Sequence, residues 1–141
     1  MRAIGLSCLA LVLSTGSMAL ADAHSEVVDL FASMTAALTE DPPNAAGFMK
    51  AFDRKLPEYD ELNRQVKALL LDSEVESSVD FVTEEGNAGK RTVDLDWYMV
   101  LRSRQPGGPS RNRREIIHCE MIKEGKRWRI TSITPISIFK P

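Results

Sequence analysis

Residues 91–104, RTVDLDWYMVLRSR, alternate with period two. Val93, Leu95, Trp97, Met99 and Leu101 share one parity, and Thr92, Asp94, Asp96, Tyr98, Val100, Arg102 and Arg104 share the other. Successive side chains of a strand point to opposite faces, so the pattern predicts a long strand with one wholly apolar face. A face of that size is not left in water, and the rest of the chain has to cover it.

The expected cover is helical. Over residues 24–39, Val27, Leu30, Phe31, Met34 and Leu38 recur at helical spacing, with Ser25 placed to cap and Glu26 and Asp29 in the first turns. Pro42 and Pro43 stop that helix. Asn44 caps a second helix running to about residue 55, with Phe48, Met49 and Phe52 inward. Pro57 opens a third, with a stripe of Tyr59, Leu62, Val66, Leu69 and Leu70.

From residue 72 onward the period changes to two. Strands are expected over residues 73–84, 91–104, 113–123 and 126–139, the last bent or bulged near residues 132–135. Three helices followed by four antiparallel strands make an α+β domain. Read as a two-residue turn, Glu124-Gly125 pairs Met121 with Trp128 and Cys119 with Ile130 on the apolar face. It pairs Glu120 with Arg129 and His118 with Thr131 on the other. That second face gathers Tyr98, Val100, Ile116, His118, Ile122 and Ile133, an apolar patch suited to a homodimer.

The N-terminal segment has a different purpose. Arg2, an apolar run over residues 3–13 and two overlapping A-x-A sites at residues 19–21 and 21–23 mark a secretory signal peptide over residues 1–23. The domain then spans residues 24–141, exported to a periplasmic or extracellular space. The apolar run is shorter than the roughly 20 residues of a membrane span. A formal charge of −2 favours neither nucleic acid nor an acidic membrane as partner. Cys8 leaves with the signal, and Cys119 stands alone on an apolar parity as a small buried hydrophobe. An intermolecular disulfide or a reactive thiol is the sharper alternative.

Residues that could carry chemistry are few. There is no phosphate loop, nucleophile elbow or zinc signature, and no cofactor is implied. His118 and Glu120 share a face but are too few for a metal site. Asp94 and Asp96 could couple as an acid–base pair with Tyr98, yet their parity points away from the apolar face and Asp80 joins them there. Arg102, Arg104, Arg111, Arg113 and Arg114 form a basic hairpin end without interleaved aromatics, which suits a solvated strand end better than nucleic acid.

Three segments resemble the nuclear transport factor 2-like superfamily, with its SnoaL-like and ketosteroid-isomerase-like members. They are Phe48-Met49-Lys50-Ala51-Phe52-Asp53, the strand end Trp97-Tyr98-Met99-Val100-Leu101-Arg102, and Gly125-Lys126-Arg127-Trp128-Arg129-Ile130. The resemblance implies N-terminal helices packed on a curved antiparallel four-stranded sheet, a cone-shaped, cystatin-like roll. It also implies a ligand cavity between helices and sheet, here lined by Phe48, Phe52, Tyr59, Trp97, Cys119 and Trp128. Family enzymes carry an acid, histidine or tyrosine inside the cone, and this chain offers no inward acid. The expectation is therefore a non-catalytic, dimeric domain holding a small apolar ligand. The alternatives are an isomerase- or dehydratase-type enzyme using Asp94 or Asp96 with Tyr98, and an accessory module docking on another exported protein.

Overall fold

The computed structural model describes residues 15–141. Cys8 and most of the expected signal segment lie outside the described residues. Helices α1 (Thr15–Thr39), α2 (Ala45–Met49) and α3 (Tyr59–Asp72) precede strands β1 (Ser73–Gly86), β2 (Lys90–Ser103), β3 (Ser110–Glu124) and β4 (Arg127–Thr134), and a 3-10 turn follows at Ser137–Phe139. The strands form one antiparallel sheet in the order β1-β2-β3-β4. The helices cover its inner face, giving the α+β architecture that the periodicity predicts.

The alternation of β2 is realised residue by residue. Val93, Leu95, Trp97, Met99 and Leu101 are all buried, while Tyr98 and Arg102 are exposed. The α1 stripe supplies Val27, Phe31, Met34 and Leu38 to the same core, and α3 supplies Leu62, Val66, Leu69 and Leu70. Asn44 caps α2 as expected, its Oδ1 accepting from the Gly47 amide at 2.8 Å.

Several boundaries differ from expectation. Ser25 caps nothing, because α1 is already helical from Thr15 and no proline intervenes. The second helix stops at Met49 rather than near residue 55. Beyond it, the Asp53 amide donates to the Ile130 carbonyl at 2.9 Å and the Ile130 amide to the Ala51 carbonyl at 2.8 Å. Sheet pairing displaces helix there, and the free edge of β4 is covered in the process.

The last hairpin carries the main correction. Glu124 pairs with Arg127, so the turn is Gly125-Lys126, with Gly125 at φ 61°. A positive φ at the first loop position alone is the type II′ arrangement, which favours glycine there. Trp128 consequently faces Lys123, and Met121 faces Ile130. An extra residue, Thr131, bulges between the Glu120–Ser132 and Met121–Ile130 pairs. The bulge resets the parity, so Cys119 pairs with Ile133 instead of Ile130. Ile133 is thus buried in the core and does not belong to the outer patch. The fourth strand also ends at Thr134, and the tail turns inward to bury Ile138 and Phe139.

The tail is fastened by an arginine expected to be solvated. Arg113 donates through Nη1 to the Ile138 carbonyl at 2.9 Å and to the Lys140 carbonyl. Arg104 similarly donates from Nε to the Leu70 carbonyl at 2.9 Å, near the C-terminal end of α3 where cations are favoured. Phe139 sits 5.1 Å from Trp97 and 5.3 Å from Phe48, measured between ring centroids. Phe139→Ala should cost about 3–5 kcal/mol, as expected for deleting a fully buried aromatic. Urea denaturation would register this as a lower midpoint with an unchanged slope, and a midpoint equal to the parent's would show that the tail does not close the core.

Candidate functional site

The residues expected to line an interior cavity pack against one another. Phe48, Phe52, Trp97 and Cys119 are fully buried, and Phe48 contacts Phe52 at 5.4 Å and Trp97 at 6.4 Å between centroids. Trp97 donates its Nε1–H to Ser77 Oγ at 2.7 Å, so its one polar atom is satisfied. Burial pushes the Cys119 thiol up to about 12, which leaves it protonated and inert. The space between helices and sheet is thus occupied by side chains. Of the six expected lining residues, Phe52, Tyr59 and Trp128 reach open grooves at the rim.

One groove runs between α1, α2 and β4, with a volume of about 430 Å³. Leu30, Met34, Ala51 and Trp128 contribute its apolar surface, and Glu26, Lys50 and Arg127 its charged rim. The Trp128 indole donates to Glu26 Oε2 at 2.7 Å, and Lys123 Nζ donates to Glu26 Oε1 at 3.1 Å. Those two hydrogen bonds hold the Glu26 carboxyl below its ordinary range, with burial opposing them weakly. The sequence reading placed Glu26 on α1 only as a helix-dipole residue. Its contact with Trp128 spans nearly the whole domain in sequence, and no local signal announces it.

A second groove, also about 430 Å³, lies between the α2–α3 connection and β4. Phe52, Met49 and Tyr59 form its floor, and Lys50, Arg54, Lys67, Arg127 and Arg129 surround it. None of these five cations stands out in the sequence as part of a cluster, and nothing in the sequence alone brings Lys50, Arg54, Lys67, Arg127 and Arg129 together.

The outer sheet face carries the remaining candidates. Asp94, Asp96 and Tyr98 all lie on it, away from any enclosed space. His118 Nδ1 is 2.6 Å from Asp94 Oδ1, and Thr83 Oγ1 donates to Asp94 Oδ2 at 2.8 Å. Arg114 clasps Asp96 through Nε at 2.9 Å and Nη2 at 2.5 Å. Hydrogen bonds from His118 and Thr83 lower the Asp94 carboxyl, and the Arg114 guanidinium lowers that of Asp96. Each aspartate is therefore held low by its own partners rather than coupled to the other, opposite to what an acid–base pair requires. Among the expected interface residues, Ile116 is 53% exposed and Tyr98 37%, Val100 and Ile122 are half-buried, and His118 is exposed. Val82, extruded by a bulge between Phe81 and Thr83, adds a further exposed apolar side chain.

At the β1–β2 hairpin end of the sheet, Arg91 is buried on the inner parity. It donates from Nη2 to Glu84 Oε2 at 2.5 Å, and His24 Nδ1 lies 2.9 Å from the same oxygen. This cluster ties α1 to the β1–β2 hairpin and faces none of the grooves described above.

Comparison with solved structures agrees with this architecture. A conserved protein from Planctomyces limnophilus superposes with a TM-score of 0.66 at 11% identity, over 81% of this chain and 94% of its own. A type 2 hexachlorocyclohexane dehydrochlorinase (LinA) does so at 0.65 and 11% identity, over 83% and 86%. The fold is nuclear transport factor 2-like. A protein of unknown function with a cystatin-like fold from Nostoc punctiforme matches at 0.53 and 15% identity, over 78% of this chain and 86% of that one. At these identities, the likeness between this chain and the nuclear transport factor 2-like structures is one of fold alone. No protein-family model and no curated protein matches the sequence.

The depressed Glu26 carboxyl has a pH consequence. A carboxyl lowered in the folded state stabilises the fold above its unfolded value, near 4.5, and that contribution is lost as pH falls through the lower folded value. Glu26→Gln should therefore flatten the fall in melting temperature between about pH 5 and pH 3. The residual slope would belong to groups such as Asp94 and Asp96. Melting curves of parent and variant that stay parallel across that range would contradict the assignment.

Proposed function

We propose that this chain is an exported, non-catalytic binding domain that pairs with a second copy through its outer sheet face. In this view it holds a small, largely apolar ligand in the α1–α2–β4 groove. The observation that carries the binding role is the contrast between the two apolar regions. The interior is filled by Phe48, Phe52, Trp97 and Phe139, whereas Leu30, Met34, Ala51 and Trp128 border open space. A ligand of modest size fits the second and not the first. The outer face supports pairing because Asp96–Arg114 and Glu76–Arg102 are ion-paired and Asp94 is hydrogen-bonded to His118, while Ile116 and Tyr98 stand exposed. Paired charges beside exposed apolar groups desolvate at less cost than free ones.

Two other readings use the same face. An isomerase- or dehydratase-type enzyme has the Asp94–His118 pair in its favour, but a general base works best with its pKa near the operating pH, and both aspartates are pulled the other way. An accessory module would dock a different exported protein on Ile116 and Tyr98. Export itself rests on the N-terminal signal pattern. Ala23 is buried at 2% exposure and His24 contacts Glu84, which favours cleavage after Ala21 over cleavage after Ala23. N-terminal sequencing of protein recovered from its compartment should read Asp22 first, and a start at His24 would reject that site.

Native mass spectrometry of the same material tests both binding claims. A dimer carrying an apolar adduct is the expected species. Ile116→Asp should shift the mass to the monomer and leave the adduct in place, because Ile116 is remote from the groove. A dimer unaffected by Ile116→Asp would remove the outer face as the interface.

A further inference from the structure

We infer that the groove between the α2–α3 connection and β4 is a second binding site, for a small molecule carrying a phosphate or sulfate ester. The inference does not depend on the apolar-ligand reading of the neighbouring groove. Lys50, Arg54, Lys67, Arg127 and Arg129 converge on this one space of about 430 Å³, and no carboxylate lines it. The chain as a whole has a formal charge of −2, so the concentration of five cations is local.

Pairing separates this cluster from most of the other arginines; Lys55, Arg64, Lys90, Lys126 and Lys140 are also without an ion pair among the described residues, but none of them lines this groove. Arg91, Arg102, Arg111 and Arg114 each have a carboxylate partner, and Arg104 and Arg113 are hydrogen-bonded to carbonyls. Among the described residues, Lys50, Arg54, Lys67 and Arg127 have no ion pair. Arg129 Nε lies 3.2 Å from Glu124 Oε2, an ion pair out of line for a hydrogen bond, and like Arg91 Nε it is buried without a hydrogen-bond partner. A buried guanidinium N–H left unsatisfied costs free energy, and an oxyanion is the acceptor that three arginines and two lysines bind most strongly.

The floor defines the rest of the ligand. Phe52 and Met49 are apolar, and the half-buried Tyr59 and Asn63 present a ring and an amide that make no side-chain hydrogen bond to another described residue. The space exceeds that of a bare tetrahedral anion, so an ester with a ring or short chain fills it better. The geometry comes from the fold: Tyr59, Asn63 and Lys67 follow one face of α3, and the pairing of residues 51–53 with Ile130 sets that face opposite Arg127 and Arg129.

Titration calorimetry at fixed ionic strength tests the site, with phenyl phosphate and inorganic phosphate as probes. Phenyl phosphate should bind saturably at one site per chain and more tightly than inorganic phosphate. Arg129→Gln and Arg54→Gln should each weaken it by about tenfold or more, as for loss of a charge-assisted hydrogen bond. Arg111→Gln, which removes the same charge at the far hairpin end, should leave it unchanged. Arg54 is exposed, so its variant keeps the test valid if Arg129→Gln fails to fold. Absence of saturable binding, or equal weakening by Arg111→Gln, would overturn the site. Co-sedimentation with phosphatidylglycerol vesicles, without phenyl phosphate binding, would overturn it in favour of a membrane headgroup.

Discussion

Trp97 stands in the middle of β2, and three elements remote in sequence meet on its ring. Phe31 of α1 approaches at 6.3 Å, Phe48 of α2 at 6.4 Å and Phe139 of the C-terminal turn at 5.1 Å, each close to edge-on. Edge-to-face packing is favourable in itself, and the indole also buries a large apolar area. Its N–H would be costly to bury unpaired, and Ser77 on the adjacent strand accepts it. Helices, sheet and tail must therefore all be in place before this one side chain is satisfied. That mutual dependence makes the Trp97 cluster the closure point of the domain.

Filling the cone with aromatics moves any binding to its margins. The two grooves share Lys50 and Arg127 on a common rim, but their chemistry diverges on either side of it. Toward α1 the lining is Leu30, Met34 and Trp128, with Glu26 already engaged by Lys123 and the indole. Toward α3 the lining is cationic, and of its five cations only Arg129 has an ion pair among the described residues. On the opposite side of the sheet, the acids that might have suggested chemistry are engaged by His118 and Arg114. Surface pairs of this kind add little to stability, and their main effect is to quiet the charge of the face.

Much of the fold was legible because it rests on periodicity. The stripes of α1 and α3 and the alternation of β2 each follow from a repeating geometry that one segment displays by itself. The errors fall where a single residue changes the count. Placing Gly125 second instead of first in the turn displaced every pair in the last hairpin, and the Thr131 bulge then carried Ile133 from the outer face to the core. A one-residue slip reverses every side chain beyond it, so local pattern cannot locate such events unaided. The expected cavity failed for a related reason. Phe48, Phe52 and Trp97 were correctly placed inward, but whether inward residues leave a void depends on what else arrives, and Phe139 was still assigned to a strand.

The sequence by itself determined the class of the fold, the apolar face of β2 and the identity of most core residues, because hydrophobic periodicity is a local property of the chain. It also carried the argument against coupling Asp94 with Asp96, since both stand on the parity opposite the apolar face. Only the tertiary structure decided that the cone is filled, that Arg113 holds the tail, and that Lys50, Arg54, Lys67, Arg127 and Arg129 surround one groove. Those outcomes depend on contacts between segments far apart along the chain. Three segments far apart in sequence become one charged pocket when residues 51–53 pair with β4.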